Sequence, residues 1–228
     1  MPKKQTKKPT ANEPTTKKSL SKQVLEKAVP QKAIKKPLPF FHPASLICTF
    51  FGVGKIPFAP GTFGSLAAMA IIHLAMVNIE LYMELKLAAF AAICFGLGIW
   101  ACKPYTEALG VHDHGSIVID EVVGQIVALL VFMVGPIIFQ ATVKPIYALQ
   151  GLEWLTLTVV SIYILLFVTF RLFDIFKPWI IRRVQDNMQN PIGIMLDDVL
   201  AGIASGLTCA AIYLFFMILV VPWIGKPV

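Results

Sequence analysis

Polar and apolar residues segregate along this chain into long blocks. Five apolar runs stand out: Leu66–Val77, Leu87–Cys102, Val122–Val143, Trp154–Phe170 and Val199–Ile224. Runs of about 17–25 apolar residues cross a bilayer as helices, because only a helix satisfies its own backbone there. Leu66–Val77 is short for a span and carries His73, so it tilts, enters part-way or borrows length from Gly61–Ser65. Leu87–Cys102 sits near the lower limit. Pro136 predicts a kink in the third run. Trp154 reads as an interfacial anchor of the fourth. Gly202 and Gly206 give the fifth a GxxxG pattern, a face for close helix packing. The predicted fold is all-α: a polytopic integral-membrane helix bundle with about five embedded segments.

Composition sharpens this picture. The chain is 57% hydrophobic and only 14% charged, whereas soluble domains carry about a quarter charged residues. The formal charge of +7 is unevenly spread. Residues 1–36 hold eleven Lys and two Glu, and the remainder holds nine Lys/Arg against eleven Asp/Glu. Residues 1–39 lack the apolar content to bury a core and read as a disordered, Lys-rich cytoplasmic tail. Gln23–Lys36 is its one candidate for a short surface helix. Such a tail beside a membrane segment is attracted to anionic lipid. It has no Arg and no interleaved aromatics, which argues against nucleic acid. No apolar h-region follows the basic start, so it is not a secretory signal peptide. Cys48, Cys94, Cys102 and Cys209 stand singly, with no CxxC and no zinc spacing.

Charged residues at the mouths of apolar helices are expensive unless they meet water, a partner or a ligand. Three polar connections concentrate them here. Phe51–Ser65 has four Gly, two Pro and Lys55, with Thr62 or Ser65 placed to cap the next helix. Its glycines allow a ligand close to consecutive backbone N–H groups, but no Gly-Lys-Ser/Thr ends it, so it is not a P-loop. Lys103–Glu121 carries His112, Asp113, His114, Asp120 and Glu121. Adjacent acids at a helix start suit the helix dipole, and they also suit Mg²⁺. Arg171–Asp198 carries Arg171, Asp174, Lys177, Asp197 and Asp198. Its acids read either as an N-cap with snorkelling flanks or as a metal–phosphate site. Five crossings from a cytoplasmic tail place all three connections on one side. The Lys/Arg bias agrees with the positive-inside rule. That convergence favours an active site over capping.

Four stretches then stand together: Gly52–Ser65 (GVGKIPFAPGTFGS), Ile117–Gly124 (IVIDEVVG), Arg171–Trp179 (RLFDIFKPW) and Gly193–Gly202 (GIMLDDVLAG). In this order they resemble the phosphatidylglycerophosphatase A family, over about residues 45–222. The chain departs from the family pattern at Ile180 and at Asn190-Pro191. The resemblance implies a Mg²⁺-dependent lipid phosphatase of the bacterial cytoplasmic membrane. It would convert phosphatidylglycerophosphate to phosphatidylglycerol, with residues 40–228 as the membrane-embedded phosphatase domain. On this reading Asp120, Glu121, Asp174, Asp197 and Asp198 are the catalytic and metal-binding carboxylates. Lys55, Gly61, Thr62, Ser65, Arg171 and Lys177 bind the substrate phosphate, with backbone N–H groups of Gly61–Ser65. Water activated at the metal is the expected nucleophile; no DxDx[TV] pattern signals an aspartyl-phosphate route. His112 is the one candidate general acid. A transporter and a non-catalytic membrane scaffold are the rival readings. The near absence of mid-helix charges opposes the first, and the intact acidic motifs oppose the second.

Overall fold

The computed structural model describes residues 37–77, 82–133, 152–188 and 190–219. The Lys-rich tail through Lys36, Pro136 and the connection from Lys144 to Gly151 lie outside them. The described residues form seven α-helices and no strand: α1 Pro43–Cys48, α2 Pro60–Val77, α3 Met83–Leu109, α4 Ile119–Met133, α5 Leu152–Phe176, α6 Trp179–Asn187 and α7 Pro191–Leu219. A short 3₁₀ turn, Val53–Lys55, joins α1 to α2. Met83–Leu109, Leu157–Phe176 and Pro191–Phe216 are long and apolar enough to cross a membrane, and Pro60–Ala75 is a shorter apolar helix. The fold is an all-α membrane bundle, as the apolar runs predict.

The helix ends differ from the run ends. Lys103–Leu109 belongs to α3 rather than to a polar connection. Pro104 removes one backbone donor inside the helix. Thr106 Oγ1 bonds back within the same turn, donating to the Cys102 carbonyl at 2.7 Å and the Lys103 carbonyl at 3.2 Å. The helix stops at Gly110, whose φ of 72° closes a left-handed cap. Likewise α5 runs through Arg171 and Asp174 to Phe176, and α7 begins at Pro191, well before Val199. Asn190 accepts the Gly193 N–H at 2.9 Å, and Pro191 suits the first helical position. Asp197 and Asp198 therefore sit in the second turn of α7. The N-cap reading of these acids does not survive.

Helix α4 is the centre of the bundle. Val122, Val123, Gly124, Ile126, Ala128, Leu129 and Phe132 are buried on every side, and α2, α3, α5 and α7 all pack on it. A helix apolar all round belongs inside. Its closest neighbour is α7, and glycines set that approach. A Cβ on Gly202 would strike the Gly124 carbonyl. One on Gly206 would lie 2.6 Å from the Ala128 carbonyl, and one on Gly124 would lie 2.6 Å from the Asp198 carbonyl. The GxxxG face is real, and it faces α4.

Gly202→Ala should thus lower the thermal midpoint in detergent, by overpacking worth about 1–3 kcal/mol. Gly96 provides the contrast, because a Cβ there meets nothing within 4 Å. Gly96→Ala should raise the midpoint slightly, since Ala favours a helix over Gly by about 1 kcal/mol. Equal responses at the two positions would refute the close α4–α7 approach.

Candidate active site

The first turn of α4 presents Asp120 and Glu121, and the second turn of α7 presents Asp197 and Asp198. The crossing at Gly124 and Gly202 brings the two sets together. Asp120, Glu121 and Asp198 each offer an oxygen, all within 4.8 Å of one another. Asp120 is 8% exposed and Asp198 3%. The C-terminal end of α5 adds the cations, Arg171 within the helix and Lys177 just past it. Arg171 Nη1 lies 2.6 Å from Asp174 Oδ2 and 3.8 Å from Glu121 Oε1. Lys177 Nζ donates to Asp197 Oδ2 at 2.6 Å. Five carboxylates thus face two cations. Three negative charges remain uncompensated if all the acids ionise.

Several polar atoms in this cluster are buried without a hydrogen-bond partner. They are Glu121 Oε2 and Arg171 Nε and Nη1, together with both amide atoms of Gln125. Arg171 is close to Asp174, but its Nη1–H groups are not aligned on the carboxylate. An unsatisfied buried polar group costs about 1–3 kcal/mol, so such a concentration calls for a ligand. Hard carboxylate oxygens with surplus negative charge are suited to a metal ion. Unmet guanidinium donors beside them are suited to an anion.

Electrostatics agree. Burial pushes the Asp120 carboxyl up to about 6. The hydrogen bond with Glu121 opposes this, while the Asp113 and Asp197 charges add to it. Burial also raises Glu121 well above the usual carboxylate range, helped by the charge of Asp120. Burial works against the Lys177 ammonium. The Asp197 bond and the surrounding carboxylates outweigh it and raise its pKa.

The Gly-rich connection contributes less than its sequence suggests. Gly61 does reach the cluster, where a Cβ would strike Glu121 Oε1 and lie 3.1 Å from Arg171 Nη1. Lys55 does not. It is exposed, with Nζ 4.4 Å from the Phe40 ring centroid. Ser65 is fully buried and donates to the Gly61 carbonyl at 3.0 Å, an intrahelical bond. The N–H groups of Thr62 and Phe63 both turn back to the Ala59 carbonyl. The expected row of free amides across Gly61–Ser65 is therefore not presented. His112 and Asp113 are exposed in the loop before α4. His114 Nδ1 lies 2.8 Å from Ser116 Oγ, which also pairs with Tyr105 OH at 2.8 Å. Gln125 has no place in the sequence reading. Its signal is a single amide inside an apolar run, one helical turn after Glu121.

The phosphatidylglycerophosphatase A family model matches residues 46–213. The chain belongs to the phosphatidylglycerophosphatase A family. A phosphatidylglycerophosphatase A of Haemophilus influenzae is 36% identical over 179 residues, covering 78% of this chain and 93% of that protein. Its Escherichia coli counterpart is 34% identical over 172 residues, covering 75% and 84%. A putative phosphatidylinositol-3-phosphatase of Bacteroides thetaiotaomicron is 32% identical over 188 residues, covering 82% and 97%. No solved structure matches. The family's match spans every helix from α2 to α6 and most of α7, so the acidic cluster lies wholly within it. Membrane-spanning helices and bacterial relatives together mark a bacterial membrane protein.

The buried acids also fix how stability varies with pH. Asp120 titrates near 6 when folded and near 3.9 when unfolded. The folded state therefore holds more protons between those values, and stability falls as pH rises through them. With metal chelated, the thermal midpoint should be higher at pH 5 than at pH 7.5. Asp120→Asn should shrink that difference. A midpoint that rises with pH in chelator would contradict the buried, uncompensated cluster.

Proposed function

We propose that this chain is a Mg²⁺-dependent phosphatidylglycerophosphate phosphatase, acting on lipid at the cytoplasmic face of the bacterial membrane. The observation that carries this reading is the meeting of Asp120, Glu121 and Asp198 beside the unmet donors of Arg171. It does so inside a family whose relatives are named for that reaction. The donor set fits Mg²⁺, since it is all hard oxygen and carries surplus negative charge. Asp120, Glu121 and Asp198 would hold the ion. When bound it supplies charge neutralisation on the phosphate and acidifies water within its reach.

The chain's own residues do the rest. Arg171 Nε and Nη1 bind phosphate oxygens, and Asp174 keeps the guanidinium at the site. Lys177 adds a second positive charge, held in place by Asp197. The missing side chain of Gly61 lets the start of α2 close on Glu121 and Arg171, since a Cβ there would strike Glu121 Oε1. Near-complete burial lowers the local dielectric and strengthens each of these interactions. The Lys-rich tail carries none of these groups; we assign it to attraction toward anionic lipid.

Phosphate release from phosphatidylglycerophosphate in detergent, across a Mg²⁺ titration, tests this reading. Asp120→Asn and Asp198→Asn should each lose about two orders of magnitude or more, with partial recovery at high Mg²⁺. Arg171→Gln should raise KM and depress kcat together, because the guanidinium holds the phosphate in the ground state and holds it more strongly in the transition state. Turnover near wild type for both Asn variants would overturn the metal-site reading. Faster release from phosphatidylinositol 3-phosphate would move the substrate assignment toward the Bacteroides relative.

A further inference from the structure

Helix α6 is nine residues long, about 14 Å, and cannot cross a membrane. It is nevertheless strongly two-sided. Ile181 pins it to the bundle against Phe170 and Ala201. Trp179 and Ile180 point away, 72% and 71% exposed. They continue the exposed apolar surface of α5 at Ile175 and Phe176, 65% and 74% exposed. That surface ends a membrane-spanning helix, so the material covering it is lipid. The charges of α6 are an arginine pair and the exposed Asp186. Arg182 and Arg183 are exposed, and among the described residues neither is ion-paired. The Arg183 guanidinium stacks 4.4 Å over the Trp179 ring, joining the cation to the apolar anchor. Apolar anchors with flanking cations are what a helix in the headgroup layer requires.

Its place in the chain gives the helix a role. Lys177, the partner of Asp197, ends two residues before it, and α7 with Asp197 and Asp198 begins four residues after it. We infer that α6 is an interfacial helix whose Arg182 and Arg183 gather anionic phospholipid from the bilayer surface and hand it to the neighbouring acidic site. Cations at the rim and cations inside would then act in sequence. The rim takes a lipid phosphate in the plane of the headgroups, and Arg171 and Lys177 take the scissile one. The capture step rests on the phosphatase reading; the membrane contact does not.

Two measurements test it on the full chain in lipid nanodiscs. With Trp100→Phe, Trp154→Phe and Trp223→Phe, Trp179 remains as the fluorescent reporter. It should be quenched by lipids brominated near the carbonyl region and protected from aqueous iodide. Iodide quenching without bromine quenching would overturn the membrane contact. In the second measurement, Arg182→Gln/Arg183→Gln should raise KM, expressed as surface fraction of phosphatidylglycerophosphate, by about five- to twentyfold, with kcat within about twofold. High salt should remove the difference. An unchanged KM, or a loss confined to kcat, would overturn capture by the arginine pair. An inactive wild-type enzyme would bring down the phosphatase reading and capture with it, while the quenching result would still decide the membrane contact.

Discussion

The active-site reading depends on one backbone approach, the crossing of α4 and α7. Gly124 and Gly202 let the helices come close enough for the Gly124 carbonyl to occupy the space of a missing Cβ. Asp198 lies one turn before Gly202, and Glu121 lies one turn before Gly124. Closing the helices at the glycines therefore closes the carboxylates on each other. Packing in a membrane gains little from hydrophobicity, because lipid tails are as apolar as the partner helix. Small residues that permit close contact supply the affinity instead. The same contact forces like charges together, so part of that affinity is offset by electrostatic repulsion.

That conflict explains the neighbourhood. Arg171 and Lys177 relieve two of the five acids, and the rest stay unrelieved until a cation arrives. Backbone strain lies on both sides of the cluster. Ala59, just before Pro60 and Gly61, has a φ of 45°, and Lys177 a φ of 40°. Residues other than Gly pay for such conformations, and they persist where surrounding structure holds them. Both positions deliver a group to the site: Ala59 sets the start of α2 against Glu121, and Lys177 aims its ammonium at Asp197. A site built this way stores instability in its ligand-free form, which binding removes.

Much of the molecule is legible in its sequence, for identifiable reasons. Apolar runs report where lipid is, so the membrane class and the all-α fold follow from them. Charges crowded at run ends report a place where burial is resisted. Asp120, Glu121, Asp174, Asp197, Asp198, Arg171 and Lys177 accordingly converge. Run ends do not report helix ends, because backbone hydrogen bonding continues into polar sequence until a cap intervenes. Gly110 and Asn190-Pro191 are those caps, and they move Lys103–Leu109 and Pro191–Asp198 into helices. Side-chain partners chosen in three dimensions are least legible. Lys55 is drawn to Phe40, fifteen residues earlier, and Ser65 is spent on its own helix. Gln125 looks like a lapse in an apolar run until the geometry shows Glu121 one turn above it.

The central claim is that one cation is shared between α4 and α7. Crystals grown with Mn²⁺ in place of Mg²⁺ test it through anomalous diffraction at the manganese edge. The account predicts an anomalous peak in contact with Asp120 or Glu121 of α4 and, at the same time, with Asp198 of α7. A peak bound by one helix only, or one remote from all three carboxylates, would contradict it.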